Sequence, residues 1–218
     1  MKYVFAGWLR TDTGQMAGAI SVAPVSGIIV STTDLVNAMA LEDTGPDSFI
    51  AGGLQLSDGV GVNAYVVRAN ALYKNVLYGM RYVPRAARRR MLSSSTGATR
   101  SVARGMVLTH GSLFMILDVF QAGNRTSLAV LRLHPATGVI TKQVQVSAPN
   151  ANLLCTDITA TSLLLTIACS AQRGGNTQQS LLMSINKELT FYALPADFVK
   201  HENDTLTEEV LSLKATPL

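Results

Sequence analysis

The sequence predicts an all-β protein built from several copies of one small antiparallel sheet. Residues 3–22 align without a gap to residues 48–67, which indicates an internal duplication at an offset of 45 residues. The identical pairs are Ala6/Ala51, Gly7/Gly52, Leu9/Leu54, Gly14/Gly59, Ala19/Ala64 and Val22/Val67. Apolar or alternating runs of five to eight residues, separated by turn-forming residues, recur along the chain and are typical of strands. A fixed period of this size predicts one supersecondary unit used repeatedly.

The composition supports a folded chain with much of its surface covered. Hydrophobic residues make up 48% of the chain and charged residues only 15%, which excludes the disordered class. The sequence contains no uncharged apolar run of about 18 residues, so no membrane-spanning helix is predicted.

We expect four repeats followed by a short C-terminal segment. The repeats are predicted at about 1–45, 46–104, 105–148 and 149–195, and residues 196–218 are predicted as a closing strand or a tail. In the first two repeats the predicted strands are Tyr3–Leu9, Ala17–Pro24, Ile28–Thr32, Ser48–Leu56, Asn63–Ala69 and Asn75–Val83.

The third repeat contains the clearest hairpin of the chain. Its predicted strands are Met106–Thr109, Ser112–Gln121, Ser127–His134 and Val139–Ser147. The connection Pro135-Ala136-Thr137-Gly138 predicts a hairpin loop, because proline presets the turn and glycine accepts the left-handed conformation that closes it. After this loop we expect Ile140, Val144 and Val146 to share one face of a half-buried strand.

The fourth repeat is predicted more loosely from its match to the third. Its predicted strands are Asn152–Thr156, Ser162–Ser170, Ser180–Asn186 and Leu189–Leu194. The segment Phe198–Leu213 is predicted either as a short helix or as a strand that closes a ring by pairing with the first repeat.

Four strands in each unit of 45–53 residues match the size of a propeller blade. The segments AGWL (6–9), AGGL (51–54), AYVVRAN (64–70) and LRLHPATG (131–138) resemble degenerate bacterial β-propeller blades, in the style of short glycine-containing and quinoprotein-like repeats. The resemblance implies a β-propeller-like array of about four four-stranded antiparallel blades, in which the small Ala-Gly pairs occupy innermost strands. A partial propeller completed by another chain and a sandwich of the same strands stay open as alternatives.

A basic insertion at residues 84–104, in the second repeat, is the strongest functional lead. The arginines of this region are Arg81, Arg85, Arg88, Arg89, Arg90, Arg100 and Arg104. No acidic residue lies between the first and the last of them, and removing these seven from the formal net charge of +4 leaves −3. Such a segment is either a solvated loop or a binding site for an anionic partner. A protein or glycan partner is favoured over nucleic acid, because Tyr82 alone supplies an aromatic ring nearby.

The cysteines and two glycosylation sequences bear on the compartment. Cys155 and Cys169 lie in two predicted neighbouring strands, and the sequence leaves open a cross-strand disulfide or two buried thiols. Asn124 and Asn203 begin Asn-X-Thr sequences in predicted turns. Together these sequences favour an extracellular or cell-surface protein.

The sequence predicts no catalytic, cofactor or metal site. Asp118 lies inside the apolar run Met115–Phe120, and we expect it on the exposed face of its strand, with burial beside a partner as the alternative. His110, His134 and His201 lack the spacing of metal ligands.

We therefore expect a non-catalytic structural or interaction module. Its high apolar content favours a subunit of a larger assembly, such as an extracellular filament or coat, with copies of itself or other proteins as partners. The alternatives are a propeller hydrolase or lyase with its site at the channel mouth, and a polyanion binder acting through the arginine-rich segment.

Overall fold

The structure of the chain is a computed structural model. It describes residues 5–10, 12–21, 35–55, 62–70, 75–84, 100–121, 125–148, 150–173, 177–193, 199–201 and 206–213. Strands, turns and bends make up all the regular structure of these described ranges.

Sixteen strands occur within the described ranges. The first eight are β1 (Phe5–Leu9), β2 (Met16–Ser21), β3 (Leu35–Thr44), β4 (Asp47–Gln55), β5 (Val62–Asn70), β6 (Asn75–Pro84), β7 (Arg100–Thr109) and β8 (Ser112–Gln121). The other eight are β9 (Arg125–Leu133), β10 (Ile140–Ser147), β11 (Ala151–Ala160), β12 (Leu164–Arg173), β13 (Thr177–Asn186), β14 (Phe191–Ala193), β15 (Val199–His201) and β16 (Leu206–Leu213).

The strands form four antiparallel sheets, which confirms the all-β class. β1 and β2 form a two-stranded ribbon. The β3–β6 sheet has the order β16-β6-β5-β4-β3, the β7–β10 sheet has the order β15-β10-β9-β8-β7, and the β11–β14 sheet has the order β11-β12-β13-β14. Successive neighbours in one sheet are joined by hairpins, an arrangement compatible with a propeller-like array.

The strand pairing follows the internal duplication. The hairpin β1–β2 is equivalent to β4–β5, since both strands correspond at the predicted offset. Ala6 pairs with Ile20 in the first hairpin, and Ala51 pairs with Val66 in the second, so the two registers differ by one residue.

Several strands lie outside the predicted pattern. β3 has no counterpart among the predicted strands, and it pairs with β4 across the tight turn at Gly45. The AGGL segment is therefore in the strand next to the edge strand β3. β7 begins at Arg100 and passes through the predicted repeat boundary at 104/105.

The C-terminal segment forms strands, and it enlarges two sheets from four strands to five. β15 pairs with β10, and β16 pairs with β6. The pairing partner of β16 is therefore the β3–β6 sheet. Adding a strand covers the unpaired backbone groups of an outer edge.

The β7–β10 sheet is buried on both faces, and β8 shows why. Its side chains alternate with a period of two. Leu113, Met115 and Leu117 enter a core shared with the β3–β6 sheet. Phe114 and Ile116 enter a second core shared with the β11–β14 sheet. The middle sheet therefore holds its two neighbours together.

A bulge corrects the predicted face of β10. The register shifts between Ile140 and Lys142, so the alternation of side chains is displaced by one position. Ile140 packs against the first core, whereas Val144 and Val146 belong to the second. The prediction that these three residues share a face is wrong, because a period-two pattern does not reveal a bulge.

The predicted hairpin loop at Pro135–Gly138 is confirmed. Gly138 adopts a left-handed φ of 72°, and its N–H donates to the carbonyl oxygen of His134 at 2.8 Å. The loop docks on the β3–β6 sheet, where Tyr82 donates its hydroxyl proton to the Gly138 carbonyl oxygen at 2.8 Å. Tyr78 donates to the Pro135 carbonyl oxygen at 3.1 Å.

Candidate functional site

The β11–β14 sheet presents one face to the core and leaves the other open. Along β12, Leu165, Ile167 and Cys169 are buried, and the residues between them are partly exposed. This alternation is the ordinary pattern of a half-buried strand. Since β12 is an internal strand, the open face belongs to the middle of the sheet.

We call this open surface the outer face and define it by β12 and β13. Its residues are Leu164, Thr166, Ala168, Ser170, Ser180, Leu182 and Ser184. All seven are uncharged, and directly opposed pairs such as Ala168 and Leu182 lie on it. Leu182 is 74% exposed, so a large apolar side chain stands in solvent at its centre.

The other two large sheets differ from the β11–β14 sheet in this respect. On β5, Ala64 and Val66 enter the first core. Tyr65 and Val67, on the opposite face of the same strand, are also fully buried, with 0% exposure. Burial raises the pKa of the Tyr65 hydroxyl above its ordinary value.

A disulfide lies directly behind the outer face. Cys155 of β11 and Cys169 of β12 are opposite one another in the register, and their Sγ atoms are bonded. Both residues belong to the second core and are nearly inaccessible. The bond therefore fixes the first two strands of this sheet.

Three of the seven predicted partner-binding arginines lie in strands of the described structure. Arg81 is in β6, opposite Tyr65 and Glu209. Arg100 and Arg104 are in β7. The remaining four, at positions 85, 88, 89 and 90, lie outside the described residues.

Arg104 is engaged inside the protein. Its Nε donates to Oδ2 of Asp118 at 2.6 Å, and the backbone N–H of Cys155 donates to Oδ1 of the same carboxylate at 3.2 Å. Asp118 therefore joins the middle sheet to β11. Our expectation of an exposed Asp118 is wrong, since the residue is 0% exposed.

The environment of Asp118 is that of a structural ion pair. Desolvation raises the pKa of its carboxyl group, and the hydrogen bonds from Arg104 and from the Cys155 amide oppose that rise. Among the described residues, no three His, Cys, Asp or Glu side chains gather as metal ligands would.

A second ion pair joins β4 and β5 and lies against the hairpin loop of the neighbouring sheet. Arg68 pairs with Asp47, and its Nε lies 2.9 Å from Oδ2. The guanidinium also lies over the Phe49 ring at 5.7 Å and donates to the Pro135 carbonyl oxygen at 3.4 Å. Asn70 donates to the other carboxylate oxygen of Asp47.

The remaining predicted residues add no site within the described ranges. His110 lies in the β7–β8 turn beside Lys187 Nζ, His134 precedes the hairpin loop, and His201 is opposite Gln145 in β15. The sequons at 124 and 203 begin outside the described residues. None of the described segments is a helix with the length and apolar character that crossing a membrane requires.

Sequence reasoning missed the outer face, although a signal for it exists. The run from Leu165 to Ser170 alternates larger apolar residues with small or polar ones, which is typical of a strand with one open face. No family model, curated protein or solved structure matches the chain.

Proposed function

We propose that the protein is a non-catalytic interaction module and a subunit of a larger assembly, formed when the outer face of the β11–β14 sheet is covered. In this proposal the fold is a propeller-like array in which the outer face of the last sheet, the β11–β14 sheet, is uncovered. The single observation that carries the proposal is the outer face itself, where Leu182 is 74% exposed among uncharged neighbours.

The chemistry of the outer face favours burial. Covering it removes Leu164 and Leu182 from water without desolvating a charge, which avoids the largest cost of burying a surface. The serine and threonine hydroxyls on it can each donate and accept a hydrogen bond, so they accommodate a second polar surface. Asp157 of β11 is exposed and lies opposite Ala168 in the register, so the contact has to leave its carboxylate in water at the border of the face.

The proposed occupant is a second copy of the chain, applied through the same face. An uncharged surface does not repel its own copy, and an isologous two-fold contact needs only one self-complementary patch. The contact would continue the face-to-face stacking by which the β11–β14 sheet already packs on its neighbour.

The size of the face sets the expected affinity. Two ten-residue strands, about 4.8 Å apart with a rise of about 3.3 Å per residue, give a face of about 10 by 33 Å. This is below the roughly 800 Å² per partner of a standard interface, so the association should be weak, in the micromolar range.

Sedimentation velocity of the full chain, at concentrations up to about 100 μM, tests the proposal. We expect the wild type to form dimers. Leu182→Asp should weaken the association at least about tenfold, because burial would desolvate an unpaired carboxylate. Leu41→Asp is the matched control, since Leu41 of β3 is 62% exposed and lies on another sheet.

Two results would contradict the proposal. One is a wild type that stays monomeric over the whole concentration range. The other is an equal loss of association in the Leu182→Asp and Leu41→Asp variants. Equal thermal unfolding midpoints for the three proteins would establish that the comparison is between folded chains.

A further inference from the structure

One edge of the β11–β14 sheet is open along most of its length. In the order β11-β12-β13-β14 the last strand is short, and it pairs with β13 only at Ser184 and Ile185. Residues 177–183 of β13 therefore have β12 on one side and no strand of the described structure on the other. The other two large sheets differ, since their last strands, β6 and β10, each pair with a strand of the C-terminal segment.

The backbone of this edge points outward at alternate residues. The N–H of Asn186 donates to the carbonyl oxygen of Thr190 at 3.2 Å, so the backbone polar groups of Asn186 point away from β12. The pairing of β12 with β13 runs without a bulge, and the direction of these groups alternates along a strand. The N–H and C=O groups of Gln178, Ser180 and Leu182 therefore point to the open edge.

The edge lacks the residues that usually prevent strand pairing. Proteins protect open edges with charged residues, especially lysine, or with proline. Residues 177–183 read TQQSLLM, which is uncharged and contains no proline. Ser180 and Leu182 are exposed. The edge can therefore accept another strand without desolvating a charge.

The open stretch is symmetric about Ser180. It begins where β13 begins, and it ends at Met183, because Ser184 is paired with β14. Two such edges can pair antiparallel with Ser180 opposite Ser180 of the second copy, and Gln178 then lies opposite Leu182. In this register every outward backbone group meets an outward group of the other chain, and β14 of either copy lies beyond the paired stretch.

We infer that β13 pairs with β13 of a second copy in this antiparallel register, with a two-fold axis at Ser180. The edge presents donors and acceptors alike, so it complements its own copy, as an isologous contact requires. The result is one continuous sheet through two chains, formed by strand addition of the kind that β16 makes on β6. This contact does not depend on the face contact proposed above, and a chain that uses both can extend an assembly beyond a dimer.

Amide hydrogen exchange of the full chain, measured residue by residue from about 10 μM to about 1 mM protein, tests this inference. The amides of Ser180 and Leu182 should exchange about fivefold more slowly at the highest concentration, as a contact with a Kd of about 100 μM predicts. The amides of Leu181 and Met183 are the internal control. They point toward β12, so their exchange should not depend on concentration.

Ser180→Pro breaks the inferred pairing at its axis. Proline has no N–H, so one substitution removes a hydrogen bond from each chain, whereas the ladder to β12 does not use this N–H. The edge contact should weaken at least about tenfold, so the slowing at Leu182 should fall to about twofold or less. Ser180→Ala is the matched control, because it removes the same hydroxyl but keeps the N–H, and it should exchange like the wild type.

Thr166→Asp separates the edge contact from the face contact. Thr166 is on the outer face but belongs to β12, so a carboxylate there disfavours the face contact and leaves the edge of β13 open. This variant should keep the concentration-dependent slowing at Ser180 and Leu182, whether or not the outer face dimerises.

Three results would overturn the inference. The first is unchanged exchange at Ser180 and Leu182 over the whole concentration range. The second is equal slowing at Leu182 in Ser180→Pro and Ser180→Ala. The third is loss of the slowing in Thr166→Asp, which would assign it to the face contact. If the thermal unfolding of Ser180→Pro shows that this variant does not fold, the exchange of the wild type and of Thr166→Asp decides.

Discussion

Asp118 is the residue whose role differs most from the sequence expectation. The sequence has no acidic residue between Arg81 and Arg104, which predicts arginines without counter-charge. The β7–β8 hairpin nevertheless places Asp118 beside Arg104, 14 residues away in the chain. The pairing could not be predicted, because it depends on a bulge between Ala103 and Gly105 that sets which side chains meet.

The stability of the protein should depend on the ionisation of Asp118. The pKa of its carboxyl group is raised by burial above the ordinary value of 3.8. The folded state therefore binds the proton more tightly than the unfolded state does. The free energy of unfolding falls as the pH rises from the pKa of the unfolded state to the raised pKa of the folded state. In Asp118→Asn this fall should be absent. Urea unfolding of both proteins at a series of pH values measures it, and parallel profiles would contradict it.

Gly138 is a position where the hairpin loop tolerates no side chain. A Cβ atom there would lie 2.6 Å from Cγ of Met80 and 2.8 Å from Cε2 of Tyr78. Gly138→Ala should reduce the free energy of unfolding by about 2–4 kcal/mol, from left-handed strain together with overpacking.

The control for this substitution is Gly111→Ala. Gly111 has a similar φ of 69°, and a Cβ atom there meets no other atom within 4 Å. It should lose only the backbone contribution, about 1–2 kcal/mol. Equal losses in chemical denaturation of the two variants would contradict the docking of the loop on the β3–β6 sheet.

At the scale of elements, most of the correct strand predictions came from residues that specify turns. Pro135 and Gly138 specify their loop without help from the rest of the chain, and the strands on either side follow from it. β3 was missed because its polar residues, Glu42 and Asp43 among them, interrupt the apolar pattern by which strands were predicted. It nevertheless pairs with β4 along its length. The start of β7 was missed because Arg100 and Arg104 suggested a loop.

The outer face could be predicted only in part, for a reason that lies in the topology. The alternation along β12 is visible in the sequence from Leu165 to Ser170. Leu182 is in β13, and antiparallel pairing places it opposite Ala168. A property created by the arrangement of strands is not visible in any local window of the chain.

At the scale of the whole molecule, the two cores share the middle sheet. β8 contributes Met115 to one core and Ile116 to the other. Neighbouring units in a repeat architecture stabilise one another through their interfaces. Loosening the β11–β14 sheet should therefore also weaken the β7–β10 sheet.

Removal of the disulfide tests this coupling. The double variant Cys155→Ala/Cys169→Ala should lose about 3 kcal/mol, because a bond spanning 14 residues restricts the unfolded chain. Hydrogen exchange should then speed up in β12 and also in β8, since both line the second core. In Val66→Ala, which trims the first core, exchange should speed up in β8 more than in β12. If exchange in β8 is unchanged in the cysteine variant, the sheets open independently and the second core does not couple them.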